Sequence, residues 1–149
     1  METHHGFICA NAGVDHSNVP GGDWVSFLPV DPDASARRFV RGIRRRLGLR
    51  VAAIVSDTWG RPWREGLVNV AIGAAGLRVL EDWRGRRDAQ GRTLRATVLA
   101  VADELAAAAG LVMGKASQAP VVIIRGYAHR AARDSARRLL RPANQDLFR

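Results

Sequence analysis

The hydropathy pattern of the chain consists of short apolar runs between polar turns, together with a few longer stretches of helical periodicity. Short runs rich in β-branched residues favour strands. Apolar positions that recur every three or four residues favour amphipathic helices. The pattern predicts strands over residues 6–10, 24–28, 50–55, 67–72, 77–80 and 120–124, and helices over residues 32–47, 96–109 and 131–140.

The helix over residues 32–47 carries the clearest boundary signals. Asp31 is placed to be its N-cap and Pro32 its first residue, the positions that these residue types favour. Gly48 follows the last apolar position and is predicted to end the helix. Arginines fill the opposite face, so the run 44–46 is predicted to be a solvated helix surface.

Strands and helices alternate without a regular βαβ repeat, which favours an α+β fold with a mixed sheet and packed helices. Residues 1–149 amount to a single domain. Neither common glycine-rich phosphate loop is present, and the segment Gly114-Lys115-Ala116-Ser117 lacks the upstream glycine of a P-loop.

Composition narrows the class of protein. The chain is 47% hydrophobic and 25% charged, which is ordinary for a globular protein. It has no segment long and apolar enough for a membrane span and no secretory signal. A single cysteine, Cys9, excludes an internal disulfide and fits the cytoplasm.

The net charge of +9 comes almost entirely from arginine. A basic surface attracts nucleic acid or other polyanions. The arginines are scattered over a helix, a loop and the C-terminal stretch, however, so we expect no specific nucleic-acid binding. A non-catalytic basic module that binds nucleic acid or another protein is the alternative to an enzyme.

The most distinctive stretch is residues 56–66, which packs acid, hydroxyl, guanidinium and indole groups into what the pattern predicts is one turn. Asp57 and Thr58 would then lie at the end of the strand 50–55, where ligands bind in open α/β sheets. A carboxylate beside a hydroxyl offers oxygen ligands for Mg²⁺ or Mn²⁺. Arg61 and Arg64 could hold anionic oxygens. The plain alternative is an Asx turn with a solvated rim.

A second polar turn follows the first predicted strand. Asp15 is a candidate metal ligand, and Asn18 is a candidate hydrogen-bonding group. Both residues could equally cap a turn. The local pattern leaves the two alternatives open.

Four motifs, taken together, closely resemble the coenzyme F-420:L-glutamate ligases, also called gamma-glutamyl ligases. The resemblance covers nearly the whole chain. The motifs are Cys9-Ala10-Asn11-Ala12-Gly13-Val14-Asp15-x-Ser17-Asn18, Ser56-Asp57-Thr58-x-Gly60-Arg61-Pro62-Trp63-Arg64-Glu65-Gly66, Ala100-Val101-Ala102-Asp103-Glu104-Leu105 and Met113-Gly114-Lys115.

The resemblance implies a GTP-dependent ligase that adds L-glutamate to a deazaflavin coenzyme precursor. Its route passes through an acyl phosphate of the acceptor carboxylate, which the glutamate amine then attacks. GTP, with Mg²⁺ or Mn²⁺ and K⁺ as an additional ion, is implied as substrate nucleotide and cofactors. A cytoplasmic homodimer with the gamma-glutamyl ligase fold is also implied.

The resemblance assigns roles residue by residue. Asp15 and Asp57 resemble ligands of a first metal ion, and Thr58 a ligand of a second. Asn18 resembles a GTP contact. The nucleotide site continues over Met113, Gly114, Lys115, Ala116 and Ser117, where Lys115 stands at a position that some relatives give to a metal-binding glutamine. Beside these roles, Arg61, Arg64 and Glu65 of the stretch 56–66 are predicted as catalytic residues.

The chain also departs from the family pattern. Family ligase domains are longer and begin with an upstream segment that contributes to GTP binding. The usual acid after Arg95-Ala96-Thr97 is replaced by Val98, and Leu67 replaces a common glutamine. We therefore expect the 149-residue chain to bind metal at Asp15 and Asp57, to turn over little on its own, and to associate through exposed apolar surface.

Overall fold

The structure of the protein, a computed structural model, describes residues 1–16 and 22–147. Within them lie helices α1 (Pro32–Leu47) and α2 (Val101–Met113), the long strands β1 (Ala53–Arg61) and β2 (Arg64–Ala75), and the short strands β3 (Glu81–Asp82) and β4 (Val98–Leu99). Short 3₁₀ turns cover Ala10–Gly13, Ala136–Leu139 and Ala143–Gln145.

The α+β class is confirmed. The expected mixed sheet is wrong for the described residues, because β1 pairs with β2 and β3 with β4, both antiparallel.

Helix α1 begins and ends where its sequence predicts. The Asp31 side chain accepts a hydrogen bond from the Ala34 N–H at 2.8 Å. Gly48 takes a left-handed conformation, with φ of 69°, and its N–H closes the helix on the Arg44 carbonyl. The apolar face is covered mainly in its first half, since Ala36 is buried whereas Phe39 and Leu47 are at least half exposed.

The strands β1 and β2 form one long hairpin that replaces the predicted turn over residues 56–66. Asp57 pairs with Val70 and Thr58 with Asn69, in the middle of the ribbon. The expectation that these residues follow a strand's end is therefore wrong, and only Pro62 and Trp63 form the turn. Strand β1 continues past Thr58 because Trp59 pairs with Val68 and Gly60 with Leu67, and such cross-strand pairs stabilise a sheet.

Two aspartates connect the helices to β2. Asp33 of α1 is buried, and its carboxylate accepts hydrogen bonds from the N–H groups of Ala74 (2.8 Å) and Ala136 (3.1 Å) and from the Ser135 hydroxyl (2.5 Å). Asp103 of α2 accepts from the Ala71 N–H at 2.9 Å. Between these contacts Ile72 is an extra residue in β2, because Val55 pairs with Gly73 and Ser56 with Ala71.

A small core lies between β2, α2 and the segment that follows β2. Its members are mostly alanine, which allows close approach of the backbones. The buried cluster consists of Ala71, Ala74, Leu77, Val79, Ala102 and Ala136.

Several predicted elements are absent from the described residues. Residues 6–10 and 24–28 are not strands and contribute only the isolated bridges Glu2 with Ile8 and Asp15 with Ser26. Residues 67–72 lie inside β2, whereas residues 77–80 make no ladder. Residues 120–124 also remain without a partner strand, and Ile123 is 75% exposed.

Two helix predictions need correction as well. Residues 98 and 99 pair with β3, so the helix expected from residue 96 begins at Val101. The helix expected over residues 131–140 is reduced to the 3₁₀ turn Ala136–Leu139. Asp134 and Ser135 bind the Val79 N–H and the Asp33 carboxylate instead, and these tertiary contacts override the local helical pattern. No described helix combines the length and the apolar character that crossing a bilayer requires.

Candidate functional site

Asp57 is half-buried in the middle of β1, and its carboxylate is held by two donors. The Thr58 N–H donates to Oδ1 at 2.8 Å, and the Trp59 indole Nε1 donates to Oδ2 at 3.1 Å. An ionised carboxylate has about four acceptor positions, so each oxygen keeps acceptor capacity for a cation. The two bonds orient the carboxylate without saturating it.

The N-terminal segment covers the face of the ribbon that carries Trp59. The Phe7 ring meets the Trp59 ring edge-on, with centroids 5.1 Å apart. Burial, and then the negative charge of Asp57, raise the pKa of the Cys9 thiol. Asp57 therefore belongs to a partly enclosed region between β1 and the N-terminal segment.

Thr58 belongs to the opposite face, because successive strand residues alternate in direction. Its hydroxyl donates to the Asn69 side-chain oxygen at 2.9 Å and accepts from the Lys115 ammonium at 2.7 Å. The Asn69 amide nitrogen lies 3.8 Å from the Met113 sulfur. The family resemblance assigned Thr58 to a metal ion and Met113 and Lys115 to the nucleotide site, and the structure brings these three residues together.

Asn69 is the residue that sequence reasoning missed. It interrupts the apolar run 67–72, and a polar side chain within such a run is a signal that it has a specific partner. Gly110 of α2 makes room for it, since a Cβ at Gly110 would lie 3.0 Å from Asn69 Cγ.

The segment after α2 folds back on the helix end. Gly114 takes a positive φ of 58°, and its N–H closes the helix on the Gly110 carbonyl. The Ser117 hydroxyl donates to the Met113 carbonyl. This turn, in which Ala116 is exposed, places Lys115 against the β-ribbon.

The three residues assigned to catalysis lie elsewhere. Arg61, Arg64 and Glu65 are exposed at the closed end of the hairpin, where an Arg61 guanidinium nitrogen donates to the Glu65 carbonyl at 3.0 Å. Arg61 is three positions along the strand from Thr58, a span of about 10 Å. The arginines at the hairpin end are therefore separate from the group of residues around Lys115.

Asp15 lies in the isolated bridge with Ser26, through two backbone hydrogen bonds of 3.1 and 2.8 Å. Asn18 lies outside the described residues. Within residues 1–16 and 22–147, no three or more His, Cys, Asp and Glu side chains are grouped so that they could hold a metal ion. Mg²⁺ is often held by one or two carboxylates with water and substrate phosphates, so the chemistry of Asp57 still fits one.

Several arginines are engaged in separate ion pairs over the surface. Among the described residues, ion pairs within 4.0 Å include Arg37 with Asp31, Arg84 with Asp82, Arg86 with Glu81 and Arg138 with Asp134. The absence of specific nucleic-acid binding stays a prediction.

Fold and site together define an α+β protein whose central β-ribbon presents an oriented carboxylate on one face and a lysine-bound hydroxyl on the other. The family described as F420-0:Gamma-glutamyl ligase matches residues 1–126 of the chain. The chain belongs to this family, which confirms the resemblance drawn from its motifs.

Three curated relatives, each called coenzyme F420:L-glutamate ligase, align over 99% of the chain. Identity is 53% to the protein of Methanothermobacter thermautotrophicus, 50% to that of Methanopyrus kandleri and 47% to that of Methanocaldococcus jannaschii. The alignments cover 60%, 60% and 59% of those proteins, so the chain spans about three-fifths of their length.

Proposed function

We propose that the chain acts as a GTP-dependent ligase that adds L-glutamate to the deazaflavin coenzyme F420 precursor. The names of relatives about 50% identical to the chain give the reaction class. The observation that carries the proposal on this chain is the pairing of an oriented carboxylate, Asp57, with a lysine-bound hydroxyl, Thr58, on one β-ribbon.

The proposed reaction has two steps. A carboxylate oxygen of the precursor attacks the γ-phosphorus of GTP, and the bond to GDP breaks as the acyl phosphate forms. The α-amine of glutamate then attacks the acyl carbon, the amide bond forms, phosphate leaves and the nitrogen loses a proton. Most of the catalysis in such phosphoryl transfer comes from positioning and electrostatics.

Asp57 would hold Mg²⁺ or Mn²⁺, with Asp15 as a proposed second ligand. A divalent ion there supplies charge stabilisation for the transferring phosphoryl group. The Thr58 N–H and the Trp59 indole fix the direction of the carboxylate, which removes a conformational freedom that ion binding would otherwise have to restrict.

The turn over residues 113–117, with Asn18, would bind the nucleotide. Lys115 is exposed and uses one of its three N–H donors on Thr58, which leaves two for phosphate oxygens. At the far end of the hairpin, Arg61 and Arg64 would bind carboxylates of the substrates in bidentate fashion, and Glu65 would interact with the incoming amine.

The metal assignment is tested with Asp57→Asn, because the amide keeps the shape and loses the charge. We expect Mn²⁺ binding in the presence of GTP to weaken at least about tenfold, equivalent to about 1.4 kcal/mol. Titration calorimetry measures it, and Asp23→Asn, an exposed acid of the same type, is the matched control. Equal binding by Asp57→Asn and the unmodified chain would show that Asp57 is not a metal ligand.

The reaction itself is tested by mass spectrometry of the deazaflavin precursor after incubation with the protein, L-glutamate, Mn²⁺ and GTP. We expect little product from the 149-residue chain alone, and any glutamylated product that requires both GTP and Asp57 supports the proposal. Product that forms equally without GTP contradicts it.

A further inference from the structure

Lys115 is the only lysine in a chain whose other basic side chains, histidine aside, are arginines. A lysine carries a compact point charge, whereas arginine carries a broad planar fork. The single lysine reaches across from the end of α2 to the middle of β1 and donates to the Thr58 hydroxyl at 2.7 Å. Its position is therefore one where a small, spherical positive charge contacts a hydroxyl oxygen.

The direction of each hydrogen bond at Thr58 is fixed by chemistry. An ammonium group has donors only, so the Thr58 oxygen must accept from Lys115. The hydroxyl proton is then donated to the Asn69 oxygen at 2.9 Å. The Asn69 amide nitrogen in turn points to the Met113 sulfur at 3.8 Å. From Lys115 through Thr58 and Asn69 to Met113, each donor in this series of hydrogen bonds therefore faces an acceptor.

A divalent cation fits this arrangement poorly. Mg²⁺ would have to approach the Thr58 oxygen to about 2.1 Å, and the ammonium bound to the same oxygen would then repel it at a distance of roughly 4 Å. Neither Asn69 nor Met113 supplies a negative charge to offset that repulsion. The second metal ion implied for Thr58 by family resemblance does not fit the residues present.

We propose that the ammonium group of Lys115 takes the place of a cation at Thr58, so that this face of the ribbon binds no divalent ion. This inference rests on the proposed function in one respect, because the Lys115 ammonium group is compared with the second metal ion implied for the ligase. Divalent-ion binding is then confined to the Asp57 face, and on the Thr58 face Lys115 contributes a fixed positive charge toward an anionic ligand.

The test is a count of bound Mn²⁺ by electron paramagnetic resonance, which detects the free ion. Lys115→Gln removes the charge and offers an oxygen ligand, and we expect it to bind one more Mn²⁺ per chain than the unmodified protein. Lys115→Arg keeps the charge and should gain none. Lys115→Gln combined with Thr58→Val should return to the unmodified count, which locates the gained ion at the hydroxyl.

The inference is overturned if Lys115→Gln gains no ion, or if Thr58→Val alone loses one. Its failure is distinct from failure of the proposed function, which depends on the ion at Asp57. If the unmodified protein binds no Mn²⁺, the proposed metal site at Asp57 is contradicted. One additional Mn²⁺ bound by Lys115→Gln would still support the role of Lys115. Lys115 is exposed, and circular dichroism of each variant verifies that the fold is kept.

Discussion

Gly73 lies directly against the start of α1. A Cβ built on it would be 2.4 Å from the Pro32 carbonyl carbon and 2.5 Å from its oxygen. Both atoms are backbone, so no side-chain rotation can relieve the overlap. The absence of a side chain at this position therefore sets how closely α1 packs on β2.

We expect Gly73→Ala to lower the free energy of unfolding by about 3 kcal/mol or more, at the upper end of the cost of overpacking a core. The matched control is Gly42→Ala inside α1, where a new Cβ meets no atom within 4 Å. That change should be neutral or stabilise by up to about 1 kcal/mol, since alanine is the better helix former. Urea unfolding measures both, and equal effects of the two substitutions would contradict this account of Gly73.

Single residues differed in how much their sequence revealed. Asp31 was identified as a cap because its role is local, three residues from the N–H that it accepts. Asp33, two positions on, gave no such signal, because its partners Ala74, Ser135 and Ala136 are distant in sequence. Lys115 was placed in a nucleotide site by family resemblance, but its contact with Thr58 could not be deduced from spacing.

At the scale of elements, the contact between α2 and β2 depends on Asp103. Burial raises the pKa of this carboxyl group above its usual value of 3.8, although the Ala71 N–H acts in the opposite direction. A raised pKa means that the folded protein retains a proton which the unfolded chain has already lost. The contribution of Asp103 to stability therefore falls as the pH rises from about 4 through the folded-state pKa.

Asp103→Asn should remove this pH dependence, because the amide cannot ionise while its oxygen can still accept from the Ala71 N–H. We expect the stability of the variant relative to the unmodified protein to increase between pH 3 and pH 7. Urea unfolding at several pH values measures the difference, with Glu104→Gln, an exposed neighbour, as the control. A relative stability of Asp103→Asn that is constant or decreases with pH would contradict the assignment.

Elements with local determinants were predicted well. Helix α1 has its cap, its first-turn proline and its final glycine within its own sequence, and its bounds were correct. Strands require partners, and the apolar run 120–124 found none among the described residues. The 56–66 stretch was interpreted as a turn from its polar residues, whereas pairing with β2 extends it as a strand through Arg61.

At the scale of the whole molecule, large apolar side chains are exposed near the end of α2 and just beyond it. The exposed fractions are 88% for Leu111, 68% for Val112, 65% for Val121 and 75% for Ile123. A contiguous patch of exposed apolar side chains favours an interaction surface, and we expect these four residues to contribute to one. They support the prediction that the protein associates with a second copy of itself.

We expect the double substitution Leu111→Glu and Ile123→Glu to weaken self-association at least about tenfold, or about 1.4 kcal/mol. The physical reason is that a carboxylate buried without a partner is costly. Sedimentation velocity over a range of concentrations measures the dissociation constant, with Val30→Glu, 86% exposed in another part of the chain, as the control. A purely monomeric unmodified protein would rule out the association.

The two aspartates that connect the helices to β2 also affect how copies of the chain can meet. The N–H groups of Ala71 and Ala74 are already bonded to Asp103 and Asp33, so they cannot donate to a strand from another molecule. A free edge with unpaired N–H groups would act as a template on which sheets extend without limit. At Ala71 and Ala74, copies of this chain cannot add a strand to β2 by backbone hydrogen bonds. Contacts made there through side chains can close into a finite assembly instead of a growing fibre.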